Sequence, residues 1–267
     1  MENKRFVDKV MIITGAASGI GYTVAKLAAQ EGASIVFSDL QAEKGREAEQ
    51  ALRKINPNVE FLPLDMTLES SAQTLVNVAV KKYNHVDILI NNAGITGKAD
   101  SVHNMAGEMF KKVINCNIVS MFYCSHYAVL QMLRQNSESS IVNLASIASL
   151  VGSLNNVAYV TSKHAVIGLT KCMALDYAQQ KIRVNAVSPG IISTPMQQDS
   201  MKNLLGDNLD KVLLTKLKNN IPLKLLSPQN RVADTEEVAK AILFLASSDA
   251  SHITGVNLPV DGGYTIY

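Results

Sequence analysis

The sequence predicts an α/β fold, a single Rossmann-like domain with a doubly wound, mostly parallel sheet. Short runs of β-branched and apolar residues alternate with longer segments of helical period, and several runs end in glycine, asparagine, aspartate or serine. Such alternation is typical of a parallel sheet with helices on both faces. Ligands bind to such a sheet beyond the carboxyl ends of its strands, where these small and polar residues would lie.

Seven strands and six main helices are predicted in order along the chain. The strands cover 9–15, 33–39, 59–65, 86–94, 139–146, 182–190 and 256–262. The helices cover 20–30, 42–54, 69–83, 105–134, 157–179 and 235–247. Right-handed crossovers close such a series into a doubly wound sheet, for which we expect the strand order 3-2-1-4-5-6-7.

The alternation is interrupted once, in the segment 194–231, where no strand fits the sequence. A connection of this length is typical of a lid or binding segment. Its apolar residues suggest one or two short amphipathic helices. Since no linker is evident, residues 1–267 are predicted to form one dinucleotide-binding and catalytic domain, with 194–231 as a substrate lid within it.

Composition argues against several function classes. With 25 basic and 23 acidic residues, the net charge of +2 provides no strong field for nucleic acid or anionic lipid. The apolar run 10–13 is too short for a signal peptide, and no run approaches the ~18 residues that span a bilayer. The three cysteines and five histidines show no disulfide or metal-ligand spacing. We therefore expect a cytoplasmic protein that binds no nucleic acid, membrane or metal.

A glycine-rich segment, Thr14-Gly15-Ala16-Ala17-Ser18-Gly19-Ile20-Gly21, joins the first strand to the first helix. Glycines there permit a tight turn and close approach of the backbone to a pyrophosphate, and the helix N-terminus presents unpaired N–H groups. A βα turn without a ligand is the alternative interpretation of this segment alone.

Asp39 ends the second predicted strand, at about the distance from the glycine loop at which an acid contacts the adenosine ribose. A carboxylate there would repel the 2′-phosphate of NADP, and neither Ala17 nor Leu40 supplies a basic group. These residues favour NAD as the cofactor. The alternative role of Asp39 is to cap the next helix.

Four motifs in order resemble the short-chain dehydrogenase/reductase family. They are T-G-x-x-x-G-x-G from Thr14, N-N-A-G from Asn91, Y-x-x-x-K from Tyr159, and Pro189-Gly190. The resemblance implies an oxidoreductase that binds NAD. The implied cofactor-binding residues are Gly15, Ser18, Gly19, Ile20, Gly21, Asp39, Leu40, Asp65, Met66, Asn92, Ala93, Gly94, Tyr159, Lys163, Pro189, Gly190, Ile192 and Thr194.

The resemblance also implies a catalytic set of Asn117, Ser146, Tyr159 and Lys163. A phenol with a pKa near 10 is a poor base at neutral pH, so a nearby positive charge must favour the phenolate. Lys163 lies four residues after Tyr159 and therefore shares its helix face. Tyr159 would act as general acid/base, Ser146 would donate to the reacting oxygen, and Asn117 would hold a water. An isolated Y-x-x-x-K would more often be an ordinary amphipathic helix.

The expected reaction is the interconversion of a secondary alcohol and a ketone. The Met-rich segment 194–231 suggests an apolar substrate, steroid-like, alicyclic or aliphatic. Competing interpretations are a 3-oxoacyl reductase-type enzyme and a non-catalytic NAD-binding or sensing protein. Resemblance to the family implies a homotetramer. Candidate substrate-contacting residues are Ser146, Ala148, Asn156, Tyr159, Ile191 and Met196.

Overall fold

In the computed structural model, which describes residues 4–192 and 233–266, seven strands form one sheet. The strands are β1 (Val10–Thr14), β2 (Ser34–Asp39), β3 (Val59–Pro63), β4 (Ile88–Asn91), β5 (Ser139–Leu144), β6 (Ile182–Pro189) and β7 (Asn257–Val260). Their order is β3-β2-β1-β4-β5-β6-β7, and every neighbouring pair is parallel. The predicted fold class and strand order are confirmed.

Helices cover both faces of this sheet. They are α1 (Gly19–Gln30), α2 (Ala42–Arg53), α3 (Glu69–Tyr83), α4 (Gly107–Ile114), α5 (Ser120–Gln135), α6 (Val157–Tyr177) and α7 (Thr235–Ala246). The predicted helix 105–134 was wrong in one respect, because a π-helical turn, Asn115–Val119, separates α4 from α5. Such turns occur frequently at functional sites. The segment 194–231, with its predicted lid and short helices, lies outside the described residues.

Strand β1 shows why its own side chains are almost all apolar. Met11 and Ile13 are fully buried against the core that contains α1 and α7, whereas Val10 and Ile12 are buried against the core that contains α3 and α5. Alternate side chains of a strand point to opposite faces. Since both faces are covered, no polar alternation remains, and burial of both sets stabilises the central sheet.

The helical stretch Gly107–Gln135 has the length and composition of a membrane-crossing helix, but 44% of the tested window is buried within the protein. A core helix of a globular domain passes the same test. Buried side chains of α5, among them Cys124, Ala128 and Met132, pack in the core that contains α3. This packing accounts for the apolar character of α5.

Candidate active site

The glycine-rich turn at the end of β1 has a backbone that few other residues could adopt. Gly15 and Gly19 have positive φ angles of 66° and 60°, which favour glycine. A Cβ on Gly15 would lie 2.8 Å from Ala93 Cα, and one on Gly21 would lie 2.5 Å from the Gly15 oxygen. The turn is therefore packed too closely for side chains at these positions.

The N-terminus of α1 lacks the usual side-chain capping. Ser18 is the N-cap residue but makes no side-chain cap hydrogen bond, and the first turn contains no acidic residue. The first N–H groups of a helix have no partner within the helix, and they attract anions together with the helix dipole. The turn and helix end present the features of a pyrophosphate site, with Ile20 in the first helical turn.

Asp39 ends β2 beside this turn. One carboxylate oxygen accepts a hydrogen bond from the Ala17 N–H at 3.0 Å, and the other accepts from the Gln41 N–H at 3.0 Å. Each oxygen has a further lone pair, so the carboxylate can also accept from ribose hydroxyls. Because Gln41 is the N-cap residue of α2, the second of these bonds also supports the start of that helix. Leu40 is 72% exposed.

Asp65 and Met66 follow β3. Asp65 accepts hydrogen bonds from the N–H and hydroxyl of Thr67, at 2.9 Å and 2.7 Å. The Met66 side chain is buried, and its sulfur accepts from the Ser38 hydroxyl at 3.2 Å. Because the Met66 side chain is buried inside the protein, the backbone of this segment would make any contact with adenine.

Asn92 holds the glycine-rich turn in place from the end of β4. Its side-chain N–H groups donate to the carbonyl oxygens of Thr14 at 2.9 Å and Gly15 at 2.7 Å. The Thr14 hydroxyl in turn accepts from the N–H groups of Asn92 and Ala93, both at 3.1 Å. The structure thus gives Thr14 a supporting role that sequence reasoning missed, although Thr14 opens the glycine motif.

Asn91 braces the sheet. Its side-chain N–H groups donate to Ser125 Oγ at 3.0 Å and to Asn143 Oδ1 at 2.9 Å. These bonds link β4 to α5 and β5. Asn91 is buried and belongs to the framework beneath the site.

Ser146 and Tyr159 meet at the carboxyl end of β5. Ser146 is the N-cap residue of a 3-10 turn, Ile147–Ser149, and its Oγ accepts from the Ala148 N–H at 3.2 Å. The Ser146 hydroxyl also lies close enough to the Tyr159 phenol to lower the phenol pKa through a side-chain hydrogen bond. Two residues 13 positions apart therefore present adjacent hydroxyls to one point.

Lys163 lies on the same face of α6 as Tyr159. Its Nζ is 5.7 Å from the centre of the Tyr159 ring and donates to the Leu144 carbonyl at 2.7 Å. Lys163 is 4% exposed. Burial lowers the pKa of its ammonium to about 8, and the nearby Cys116 side chain opposes this shift. The predicted closeness of Tyr159 and Lys163 is present in the structure.

The pKa of Tyr159 differs from our expectation. Burial raises the pKa of the phenol above its usual value, while the hydrogen bond from Ser146 acts in the opposite direction. Lys163, with a pKa of about 8, is largely neutral at the pH where such a phenol ionises. The predicted lowering of the Tyr159 pKa by Lys163 is therefore absent in the protein alone.

Asn117 lies in the π-helical turn and is fully buried. Its Oδ1 accepts from the Ile95 N–H at 2.7 Å, while its Nδ2 donates to the Ile95 carbonyl at 2.8 Å and to Ser162 Oγ at 3.0 Å. Both side-chain N–H hydrogens are thus used within the protein. A water could therefore bind Asn117 only through its oxygen atoms. The Asn117 side chain chiefly fixes the segment after Gly94.

Gly94 and Gly190 both sit in close contacts at the strand ends. A Cβ on Gly94 would lie 3.0 Å from Asn117 Oδ1 and 3.8 Å from Lys163 Nζ. Gly190 follows Pro189, donates to the Val260 carbonyl at 3.0 Å, and would place a Cβ 2.8 Å from Asp261 Cα. Both glycines allow backbone to approach the site closely.

The remaining predicted residues divide between the described and undescribed parts. Ala148 is buried beside Ser146, Asn156 is the N-cap residue of α6, Ile191 is partly buried, and Ile192 is buried and forms a β-bridge with Ala233. Thr194 and Met196 lie outside the described residues.

Sequence reasoning missed an apolar rim, on loops that adjoin Ser146 and Tyr159 along the chain or through a β-bridge. We define this rim as Val102, Leu150 and Leu154, which are 75%, 42% and 94% exposed. The Asp100–Asn156 β-bridge connects the loop that contains Val102 to the loop that contains Leu154. Exposed large apolar side chains beside a polar centre are typical of a binding site for an apolar ligand.

A cleft of about 510 Å³ lies at the amino ends of β4, β5 and β6, on the side of the sheet away from this site. Lys9, Asp87 and Arg183 are in its wall. Arg183 donates there to main-chain carbonyls, including Leu245 at 2.7 Å, which satisfies the C-terminus of α7. Within residues 4–192 and 233–266, no group of three metal-ligating side chains is present.

Comparisons with known proteins agree with this geometry. A family model described as "Enoyl-(Acyl carrier protein) reductase" matches residues 15–265. A 3beta-hydroxysteroid dehydrogenase of Mediterraneibacter gnavus is 37% identical over 98% of this chain and 97% of its own. A cyclohexanol dehydrogenase of an Acinetobacter species is 37% identical over 99% and 98% of the two chains. The solved structure of an NAD+-bound xylitol dehydrogenase superposes with a TM-score of 0.90 at 33% identity, covering 97% of this chain and all of the other.

Proposed function

The chain belongs to the short-chain dehydrogenase/reductase family, whose members act on CH–OH and C=O groups with a nicotinamide cofactor, and we propose that it is an NAD-dependent dehydrogenase of an alicyclic secondary alcohol. The observation that carries this proposal is the closeness of the Ser146 hydroxyl to the Tyr159 phenol, with Lys163 beside the Tyr159 ring. A phenol and a hydroxyl at one point can hold a single carbinol oxygen.

Tyr159 is the proposed general base in alcohol oxidation. It removes the hydroxyl proton, while Ser146 donates a hydrogen bond to the same oxygen. When bound, oxidised nicotinamide supplies the hydride acceptor and a positive charge. Since burial raises the pKa of Tyr159 and Lys163 is largely neutral above pH about 8, a positive charge near the phenol would add to the effect of Ser146 in lowering the phenol pKa. Ketone reduction uses the same groups in reverse.

The residues of the glycine-rich turn fit NAD. The uncapped N-terminus of α1 and the closely packed Gly15 and Gly21 suit a pyrophosphate. Asp39 would accept hydrogen bonds from the adenosine ribose hydroxyls, and the exposed Leu40 offers no positive charge to a 2′-phosphate. These features support NAD over NADP. The other cofactor-binding residues given above are proposed for the same roles.

The substrate proposal rests on two independent supports. The rim of Val102, Leu150 and Leu154 exposes apolar surface on the loops next to Ser146 and to the start of α6, which carries Tyr159. The 3beta-hydroxysteroid and cyclohexanol dehydrogenases named above are relatives whose names indicate ring alcohols. A ring alcohol presents apolar carbon to the rim while its hydroxyl reaches Tyr159.

The test is a panel of alcohols assayed with NAD+ and NADP+ in parallel by the absorbance of the reduced cofactor. It includes cyclohexanol, a 3β-hydroxysteroid, xylitol and a 3-hydroxyacyl thioester. We expect turnover of the ring alcohols with NAD+. Preference for the thioester would support the 3-oxoacyl reductase alternative, and cofactor binding without any turnover would support the sensing alternative.

The Tyr159→Phe variant tests the acid/base. Loss of a general base lowers rates by about 10²- to 10⁴-fold, whereas NADH binding should remain nearly unchanged. The matched control is Tyr83→Phe, because the Tyr83 hydroxyl is buried and makes no hydrogen bond within the described residues. If Tyr159→Phe keeps more than about a tenth of the rate, the assignment of the base is wrong.

We also propose that the enzyme works in the reducing cytoplasm as a homotetramer. Exposed apolar side chains on α5 and α6, among them Phe122 at 51% and Leu175 at 82%, support association. The absence of a disulfide among the three cysteines is consistent with that compartment.

A further inference from the structure

Three side chains behind Ser146 form a series of close polar contacts. Ser149 Oγ lies 2.6 Å from the main-chain oxygen of Ser146 and 2.9 Å from Ser188 Oγ. Ser188 Oγ lies 2.7 Å from the side-chain amide of Asn257. Both serines are buried. The series connects β7, through β6, to the 3-10 turn that begins at Ser146.

We infer that Ser149, Ser188 and Asn257 are positioning residues, which form a hydrogen-bond relay that holds Ser146 against Tyr159. The functional part of this inference rests on the proposed dehydrogenase activity. Among the described residues, none of the three side chains forms a hydrogen bond with the phenol; they act through the turn.

The number of available hydrogens decides the orientation of the Asn257 side-chain amide. Three short contacts need three hydrogens, but two serine hydroxyls carry only two. With Oδ1 of Asn257 nearest to Ser188, one contact is left without a hydrogen. Turning the amide so that Nδ2 faces Ser188 supplies the third, since the two amide ends differ little in size. The further Asn257–Ser149 contact, at 3.4 Å, is long in either orientation.

The relay then has one direction, from Asn257 Nδ2 through Ser188 and Ser149 to the Ser146 carbonyl. That carbonyl also accepts from the Ser149 N–H at 2.8 Å, so one residue closes the turn twice. Hydrogen bonds in a buried chain polarise one another. Removing the Ser188 hydroxyl should therefore weaken the turn and the position of Ser146 without changing a group that touches substrate.

The first measurement is amide hydrogen exchange of the segment 145–151, which does not depend on activity. We expect at least about five-fold faster exchange in Ser188→Ala, because the turn loses support. The matched control is Ser140→Ala, since Ser140 is also buried and donates to Leu245 at 3.2 Å from the far end of β5. Equal exchange in the two variants would overturn the relay, whether or not the protein oxidises alcohols.

The second measurement is alcohol oxidation against pH. For Ser188→Ala we expect kcat to fall about five- to twenty-fold, NADH affinity to stay unchanged, and the rise of kcat with pH to move to higher pH. The shift follows because the Ser146 hydrogen bond lowers the Tyr159 pKa. Ser188→Thr, which keeps the hydroxyl, should recover most of the rate. Unaltered kcat and pH profile in Ser188→Ala would contradict the positioning role.

Asn257→Asp tests the direction of the relay. An aspartate has no Nδ2 hydrogen and would accept from Ser188, drawing the Ser149 hydrogen away from the Ser146 carbonyl. We expect the exchange and pH profile of Ser188→Ala. Wild-type behaviour of Asn257→Asp would overturn the relay. A wild-type protein that oxidises none of the alcohols would instead contradict the proposed function, and the exchange result would still decide the relay.

Discussion

Lys163 Nζ donates a hydrogen bond of 2.7 Å to the main-chain carbonyl of Leu144. This bond joins the middle of α6 to the last residue of β5, two positions before Ser146. Lys163 is therefore held in place by the protein itself, with further N–H groups available for a ligand. The buried position that makes this contact also lowers the pKa of Lys163 to about 8.

The buried ammonium predicts a pH-dependent difference in stability between the wild type and Lys163→Met. Below pH about 8, Lys163 is charged in both folded and unfolded states, so the wild type bears the full cost of burying a charge. Between pH about 8 and 10.5, the unfolded chain binds more protons than the folded protein, so wild-type stability rises with pH. The shift corresponds to about 3 kcal/mol. Between pH about 8 and 10.5, the free energy of unfolding of the wild type should therefore rise by up to this amount relative to that of Lys163→Met.

Urea unfolding at a series of pH values measures this difference. Lys26→Met, at an exposed position on α1, controls for general loss of a lysine. A gap between the wild type and Lys163→Met that stays constant from pH 7 to pH 10.5 would show that the ammonium is not buried as described.

Asn117 predicts a coupled loss of stability and activity. Asn117→Ala leaves the N–H and the carbonyl of Ile95 without their partners, and each unsatisfied buried group costs about 1–3 kcal/mol. We expect a loss of about 2–4 kcal/mol and at least about ten-fold lower kcat, because the segment after Gly94 loosens. The control is Asn115→Ala, an exposed asparagine in the same π-helical turn. Similar unfolding midpoints for the two variants would argue against the bracing role.

Asp39 predicts cofactor choice. The double variant Asp39→Ser with Leu40→Arg removes the proposed ribose acceptor and adds a cation for a 2′-phosphate. Since hydrogen bonds to charged groups contribute about 1.5–3 kcal/mol, we expect kcat/KM with NAD+ to fall about ten- to a hundred-fold and kcat/KM with NADP+ to rise. Glu43→Ser, which removes an exposed charge from α2 nearby, should leave the ratio of the two values nearly unchanged. A double variant that still prefers NAD+ would refute the assignment.

The sequence predicted the sheet because both faces of each central strand are buried, which gives continuous apolar runs such as Val10–Thr14. It predicted the proximity of Tyr159 and Lys163 because four-residue helical spacing puts them on one face, whereas Ser146 was assigned to the same site through the resemblance to the family. It missed the π-helical turn, since one inserted residue leaves the apolar pattern of a long helix intact. It also missed the hydrogen bond from Lys163 to the Leu144 carbonyl and those between Asn117 and the Ile95 backbone. Main-chain groups are the same in every residue, so the sequence does not indicate which of them a side chain will contact. It did not predict the raised pKa of Tyr159, because that shift comes from burial of the phenol, and the spacing of residues in the sequence does not indicate burial.

The exposed row on α5 predicts the assembly. Phe122, His126, Leu130 and Leu133 are exposed at helical spacing, and the rings of Phe122 and His126 stack with centres 6.1 Å apart. An apolar row of this kind on a globular surface is typical of an interface.

Placing charges in this row would bury like charges across a symmetric contact, which strongly disfavours association. We therefore expect Phe122→Glu with Leu130→Glu to reduce the light-scattering mass from four chains to two or one, while far-UV circular dichroism is preserved. Ile55→Glu, at the partly exposed end of α2, should keep the tetramer. An unchanged mass in the double variant, or a monomeric wild type, would contradict an interface on α5.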